Sequence, residues 1–436
     1  MSAIAVDLLA CASSRPPRPT FVPPPPHVQV GAARSGAAIG LVLTGGGAFG
    51  AWEIGALQAF FDVWYERHGE EPPIRVVAGT STGALLAPFA FLGRRGLEEA
   101  AAWYTAVEQG DLLRGRLAAL LLFALFADWA SSPFSAGYPE RKGGDGSHLY
   151  RILSRTLDEA DLERIAAAWP ERRIGAVTVD FGDGQPDVVT NQPGEMSRFR
   201  DGVFASAQVP LVMPPVPLPP GAGAGGREHG DALSPHLDGG VLAVAPIAAL
   251  FELAAIAPSI RLTHVVVISP FPKSPSADQG GQPFPDDPDF RQIGDRMTTL
   301  LGEALVSKDL ALVRAALELR NAGLSAAAVR EVTGMSIAGE PPELIEILPA
   351  SRLGWRALEF DRDVMGEMHE RGYFETRARL HDRSGVLLFP RPAAPGALTG
   401  CRHGRPGAGG IEPRRGLTSA CGRDDAPRPA RRPRPP

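Results

Sequence analysis

The run Val76-Val77-Ala78-Gly79-Thr80-Ser81-Thr82-Gly83-Ala84-Leu85-Leu86 constrains the fold more than any other stretch of this 436-residue chain. A β-branched segment enters it and a small, apolar, helix-forming segment leaves it. Between them Gly79, Ser81 and Gly83 spell G-x-S-x-G. That is the pattern of a tight strand-to-helix turn that lifts a serine hydroxyl out at the top of a sheet. The turn forces unusual backbone angles, and the adjoining strand and helix leave no room for a Cβ, so glycine is required on both sides. The helix behind the turn points the positive end of its dipole at the serine. A plain glycine turn carrying a surface serine would read the same way in isolation.

A second unit of the same kind precedes it. Ala38-Ile39-Gly40-Leu41-Val42-Leu43 is a continuous apolar run, as expected of a buried parallel strand. Thr44-Gly45-Gly46-Gly47-Ala48-Phe49-Gly50 follows, and then Ile54, Leu57, Phe60, Phe61 and Trp64 recur at helical spacing. Gly45, Gly47 and Gly50 satisfy G-x-G-x-x-G, which raises a dinucleotide-binding reading. The acidic partner such a site needs about 20 positions on would be Glu70 or Glu71, but both lie in a loop-like stretch ending in Pro72-Pro73. The other reading is a nest of glycine amides at a helix N-terminus, able to hold a developing oxyanion. Ile74 to Ala78 supplies the second strand. The two units would then converge at the carboxyl ends of a parallel sheet, where open α/β folds bind ligands.

Composition limits the partners. The formal net charge is −5, unevenly spread. From Arg391 to Pro436 ten arginines stand against Glu412, Asp424 and Asp425, a net of +7, so the remainder carries −12. An acidic body is not a nucleic-acid binder by charge. Cys11, Cys401 and Cys421 lie in the terminal stretches, leaving the core without a disulfide or a thiolate metal site. Leu8-Leu9-Ala10-Cys11 looks like a lipoprotein cleavage box, but no basic n-region precedes it and Asp7 interrupts a very short apolar run. The longest apolar run, Leu117 to Ala127, is half a membrane span. It reads as a buried core helix, with the wall of an acyl channel or a lipid-surface contact as the functional alternatives. These features together lead to the expectation of a cytoplasmic protein with transient contact to a membrane surface.

Four segments are expected. Residues 1–36 are Pro-, Ala- and Ser-rich and read as disordered; 37–250 form the core unit; 251–390 add a strand and helices packed on it; 391–436 form a disordered basic tail. Within the core unit, helices are expected over 93–109 and in two short pieces over 149–169. Strands are expected over 173–180 and 187–191 around the turn Gly182-Asp183-Gly184. Phe204-Ala205-Ser206-Ala207-Gln208-Val209-Pro210 leads into a Pro-rich stretch, with Ser206 read as a packed loop serine. Gly221 to Gly230 reads as a flexible loop suited to a lid. His236-Leu237-Asp238-Gly239-Gly240-Val241 contains Asp-Gly-Gly, by itself a turn signal. Pro246 opens a helix, 263–269 reads as a last clear strand, and helices follow over 290–324, 326–332 and 361–380.

Taken together, the motifs resemble those of bacterial patatin-like phospholipases. Gly45-Gly46-Gly47-Ala48-Phe49-Gly50 resembles the glycine-rich oxyanion motif of that family, Gly79-Thr80-Ser81-Thr82-Gly83 its nucleophile elbow, and Asp238-Gly239-Gly240 its D-G-[GA] motif. The Phe204–Pro210 segment resembles the run before the aspartate loop. The likeness is strong over 37–250 and looser to about residue 385. It implies an α/β/α three-layer fold with a mainly parallel central sheet. It also implies a Ser–Asp dyad without histidine, metal or other cofactor: Ser81 as nucleophile, Asp238 as general base, and the amides around Gly45, Gly46 and Gly47 as oxyanion hole. The substrate would be a phospholipid or other lipid ester. Two positions depart from the family pattern. Phe49 replaces a common Arg or Lys, and Val244 replaces an asparagine that would brace the aspartate loop.

Three other readings compete. An ordinary Ser-His-Asp hydrolase would need a histidine after the aspartate, for which His264, His369 and His381 are available, but only two strands precede Ser81. An NAD(P)-binding Rossmann-type protein would use the glycine loop. A lipid-binding scaffold without turnover would have no need of a serine held between two glycines.

Overall fold

The computed structural model describes residues 36–108, 148–210, 213, 215–219, 221, 233–273, 284–288, 290–354 and 356–381. All of them fall in one compact unit, residues 1–392; a second unit, 393–436, lies outside them. The expectations for 1–35, for the Leu117–Ala127 run, for the lid-like loop after Gly221 and for the basic tail also fall outside the described residues.

The architecture grows from β1, Ile39–Leu43, whose five residues are all buried. β1 lies between β2, Ile74–Thr80, and β7, His264–Ile268, parallel to both. β8, Glu343–Ile347, adds parallel to β7. On the other side β3, Arg173–Asp180, pairs parallel with β2. β4, Gln185–Thr190, β5, Val216–Leu218, and β6, Ser234–Asp238, complete the eight strands with antiparallel pairings. The central sheet is therefore mixed with a parallel heart, and the fold class is α/β.

Alternation along the strands divides the core in two. Leu41, Leu43, Val77, Ile174, Ala176, Val266 and Ile268 face one layer of helices. Helices α1 (Gly50–His68), α2 (Thr82–Leu92), α3 (Arg94–Tyr104), α4 (His148–Thr156), α5 (Glu159–Ala167) and α6 (Met196–Ser206) belong to that side. Val42, Val76, Ala78, Val265 and Val267 face the other, covered by α7 (Ile247–Ala255), α8 (Phe290–Asn321) and α9 (Ala326–Thr333). The last helix, α10 (Arg362–His381), lies along α1. Their crossing is backbone-close. A Cβ on Gly55 would sit 2.0 Å from the His369 carbonyl oxygen, and one on Gly372 would sit 2.1 Å from that of Trp52. Among the described residues no helix is long and apolar enough to cross a membrane.

Most expected elements are present within a residue or two. Four were not foreseen. The 196–206 stretch forms α6, the Pro-rich stretch contains β5, Asp-Gly-Gly is entered from β6, and Glu343–Ile347 follows 263–269 into the sheet as β8. Arg173 shows how these pieces are tied. Its buried guanidinium donates to the Leu253, Ala254, Ile256 and Pro258 carbonyls at the end of α7, satisfying acceptors that a helix C-terminus leaves open.

Candidate active site

β3 brings the two motif residues together. One edge of β3 pairs with β4 over Gly175 to Asp180. The other edge is shared: β2 takes Arg173 to Val177, ending at the Thr80–Val177 pair, and β6 takes Thr178 to Asp180, ending at the Asp238–Thr178 pair. Thr80 and Asp238 thus dock against consecutive residues of one strand. Ser81 follows Thr80, so a serine and an aspartate 157 positions apart in sequence become neighbours.

Ser81 has φ 56° and ψ −125°, the one positive φ among the described non-glycine residues. That backbone is strained for any residue with a Cβ. The strain is held from three sides. Cβ atoms on Gly79 and Gly83 would stand 2.3 Å from the Gly83 and Leu43 carbonyl oxygens respectively, so strand and helix close directly on the turn. The Ser81 N–H donates to the Ser206 hydroxyl at 2.9 Å, and that hydroxyl donates to the Val177 carbonyl at 2.6 Å. Ser206 is fully buried, so it is a strut under the turn; it is packed as expected, but it closes α6 and does not lie in a loop.

Asp238 is buried, and its Oδ1 accepts the Gly240 N–H at 2.7 Å. Its own N–H donates to the Gln208 carbonyl at 3.0 Å. Burial pushes the carboxyl up to about 6; the neighbouring Ser81 hydroxyl and the Gly240 N–H hold it back from going further. The outcome is a carboxylate facing the Ser81 hydroxyl with a proton affinity near the working range of a general base. Gly239 has no space for a side chain, since its Cβ would lie 2.4 Å from the Val177 carbonyl oxygen.

The glycine loop divides its tasks. The Gly45 N–H donates to the Val244 carbonyl at 3.1 Å, so Gly45 is not a free donor. What Gly45 supplies is clearance: a Cβ there would lie 3.0 Å from the Ser81 Cβ. The Ala48, Phe49 and Gly50 amides are engaged as well. Among the described residues the Gly46 and Gly47 amides have no acceptor, and Gly47 lines the same cleft as Ser81. The Gly47 carbonyl accepts the Thr82 hydroxyl at 2.9 Å and the Tyr104 hydroxyl at 2.5 Å, which sets the orientation of the loop. Thr82 and Tyr104 carry no motif signal, and neither was singled out from sequence. Behind the loop, Glu53 is fully buried, accepts the Thr44 N–H at 2.8 Å, and is held well above the ordinary carboxylate range by its burial.

The two departures have structural answers. Phe49 points into the core, edge-on to Phe271 at 6.3 Å between ring centroids, and not toward Ser81. Val244 braces the glycine loop through its carbonyl, and the adjoining Ala245 N–H is held by the Asp309 carboxylate at 3.2 Å. The loop after Asp238 is thus anchored without an asparagine.

The competing readings lose their geometry. His264 pairs with Ile39 at the start of its strand, at the end of the parallel sheet remote from Ser81. His369 bonds Gln58 between α1 and α10, and His381 faces Glu66. His236, two residues before Asp238, is locked to Asp187 at 3.1 Å. Glu70 and Glu71 precede β2, away from the glycine loop, and Glu71 takes the Arg94 N–H. Among the described residues no cluster of His, Cys, Asp or Glu could hold a metal ion.

Ser81 lines a largely apolar cleft, together with Leu85, Val107 and Met213. Residues 41–251 match the family model of patatin-like phospholipases. No curated protein sequence matches the chain. Among solved structures it is similar to VipD from Legionella pneumophila, at 11% identity and a TM-score of 0.34, over 78% of this chain and 66% of that one. It is also similar to the type III effector protein ExoU, at 13% identity and a TM-score of 0.31, over 79% of this chain and 53% of that one. A third similarity is to full-length ExoU in complex with full-length SpcU from the type III secretion system of Pseudomonas aeruginosa, at 14% identity and a TM-score of 0.28, over 68% and 58%. The chain therefore spans less than two thirds of these proteins, and similarity at this level carries no functional argument. The family match does: the chain carries a patatin-like phospholipase domain over residues 41–251.

Proposed function

We propose that the protein is a serine acyl-hydrolase of lipid esters, of phospholipase A or lysophospholipase type, working through Ser81 and Asp238. The observation that carries the reading is the buried Asp238 carboxyl against the hydroxyl of a strained elbow serine. Asp238 takes the Ser81 proton as Oγ attacks the ester carbonyl carbon. Negative charge develops on the carbonyl oxygen, and the Gly46 and Gly47 amides are the donors left to receive it. Collapse of the tetrahedral intermediate expels the alcohol half of the ester, which leaves with the proton from Asp238. Water then attacks the acyl-serine, giving its proton to Asp238, and the fatty acid departs as Ser81 recovers a proton. No step calls for a metal or a histidine. The substrate meets the protein at a lipid surface, by transient contact.

The test measures p-nitrophenol release from medium-chain esters and fatty acid release from phospholipid vesicles. Wild type is expected to hydrolyse both, with or without chelator. Ser81→Ala and Asp238→Asn are each expected to lower turnover by at least 10³-fold, in line with loss of a nucleophile or base. Full activity in Asp238→Asn would remove the dyad, and an inert wild type would remove the hydrolase.

A further inference from the structure

The family match ends at residue 251, yet the cleft beside Ser81 is finished by residues about a hundred positions later. Leu358, Phe360 and Met365 form part of its wall. Their segment is pinned to the catalytic loop itself. The Ala357 carbonyl accepts the Ala48 N–H at 2.7 Å, and a Cβ on Gly47 would lie 2.1 Å from that same oxygen. The Leu358 N–H is held by the buried Asp295 of α8 at 3.2 Å. Asp361 caps the start of α10 by accepting the Asp363 and Val364 amides, both at 3.0 Å, and Met365 on its first turn is fully buried. Glycine loop, strap and helix are thus one rigid piece on this side of the site.

The chemistry of the cleft selects what can occupy it. Leu85, Trp103, Val107 and Met213 continue the wall that the strap begins. The Thr82 and Tyr104 hydroxyls, on side chains that line the cleft with Ser81, both donate to the Gly47 carbonyl. A zwitterionic or anionic headgroup would lose its hydration here and find no charged side chain in the lining, the Gly46 and Gly47 amides being left to the ester carbonyl. A hydrocarbon chain would gain by burial. Resting on the acyl-hydrolase reading, we propose that the strap Ala357 to Met365 is the acyl-chain subsite. Leu358, Phe360 and Met365 set which chain length reaches the transition state, and the headgroup stays outside the cleft.

The test compares wild type, Phe360→Ala, Leu358→Ala and Leu358→Trp across p-nitrophenyl esters from butyrate to palmitate. Enlarging the cleft is expected to raise the long-to-short ratio of kcat/KM on the order of tenfold, and Leu358→Trp to lower it comparably, as for a mismatch in an apolar pocket. Phospholipids that differ only in headgroup should keep their wild-type ratio in every variant. In parallel, the thermal stabilisation of Ser81→Ala protein by fatty acids of increasing length should shift with the same substitutions. Active variants that all keep the wild-type chain-length ratio, or a headgroup ratio that moves instead, would overturn the subsite and leave the hydrolase standing. An inert wild type whose fatty-acid stabilisation still follows the strap would do the reverse.

Discussion

Ser81 holds a backbone conformation that its own side chain disfavours, and the surroundings decide whether it stays there. Ser81→Gly removes the Cβ, whereas Ser81→Ala keeps it. Both lose the hydroxyl, so neither should turn over substrate, but Ser81→Gly is expected to be more stable than Ser81→Ala by about 1–2 kcal/mol, read from denaturant midpoints at equal m. Equal stabilities would mean that the turn is unstrained. Ser206 acts one step removed. Ser206→Ala leaves the Ser81 N–H without its acceptor in a buried setting and is expected to lower kcat while leaving KM nearly unchanged. Ser206→Thr, which retains the hydroxyl, should recover a substantial part of the rate. The elbow glycines and Asp-Gly-Gly were legible because backbone clearance permits one residue type there, and that demand is written locally. Ser206, Thr82 and Tyr104 were not, because their tasks come from contacts made 22 to 125 residues away along the chain.

At the scale of elements, strands with continuous apolar runs and helices with clear periodicity could be read directly, as β1, β2 and α8 show. What could not be read is how β6 arrives. Its antiparallel docking onto the upper part of the β3 edge that β2 leaves vacant is a tertiary event with no local pattern. β8 was missed for a related reason: Glu343-Leu344-Ile345-Glu346-Ile347 alternates weakly and follows long helices, and only its pairing with β7 declares it a strand. The α1–α10 crossing was equally silent, since Gly55 and Gly372 look like ordinary mid-helix glycines until the two backbones meet. Gly372→Val should force the helices apart and cost about 2–4 kcal/mol, by overpacking and lost α1–α10 contact. Because the strap begins α10, the same change should also impair turnover of long-chain esters more than short ones. A variant with wild-type thermal stability would show that the crossing can relax at little cost.

For the molecule as a whole, the site imposes a pH dependence opposite to that of most folded domains. Asp238, Glu53 and Asp309 are all raised above the ordinary carboxylate range, each chiefly by burial. A raised carboxyl binds its proton more tightly in the folded chain than in the unfolded one. Stability from such a group is therefore complete below the unfolded value near 4 and declines as pH rises through the folded value. Asp187 runs the other way: the His236 and Arg198 partners outweigh its burial and hold it low, so its contribution disappears only in stronger acid. The share of Tm set by these carboxyls is then expected to be highest near pH 4–5 and to fall toward pH 8, against a rise from His68, His264 and His369, which burial holds below the ordinary imidazole range. Asp238 alone accounts for up to about 3 kcal/mol of that fall, the equivalent of a shift of about two pH units. On the proposed dyad, activity should move oppositely, with kcat/KM rising through pH 6 as Asp238 ionises. Asp238→Asn with Glu53→Gln keeps the acceptors for the Gly240 and Thr44 amides but removes both buried ionisations. That double variant is expected to lose most of the decline and to melt above wild type at pH 8. A Tm gap between the double variant and wild type that does not grow from pH 5 to pH 8 would place the cost of these charges elsewhere in the molecule.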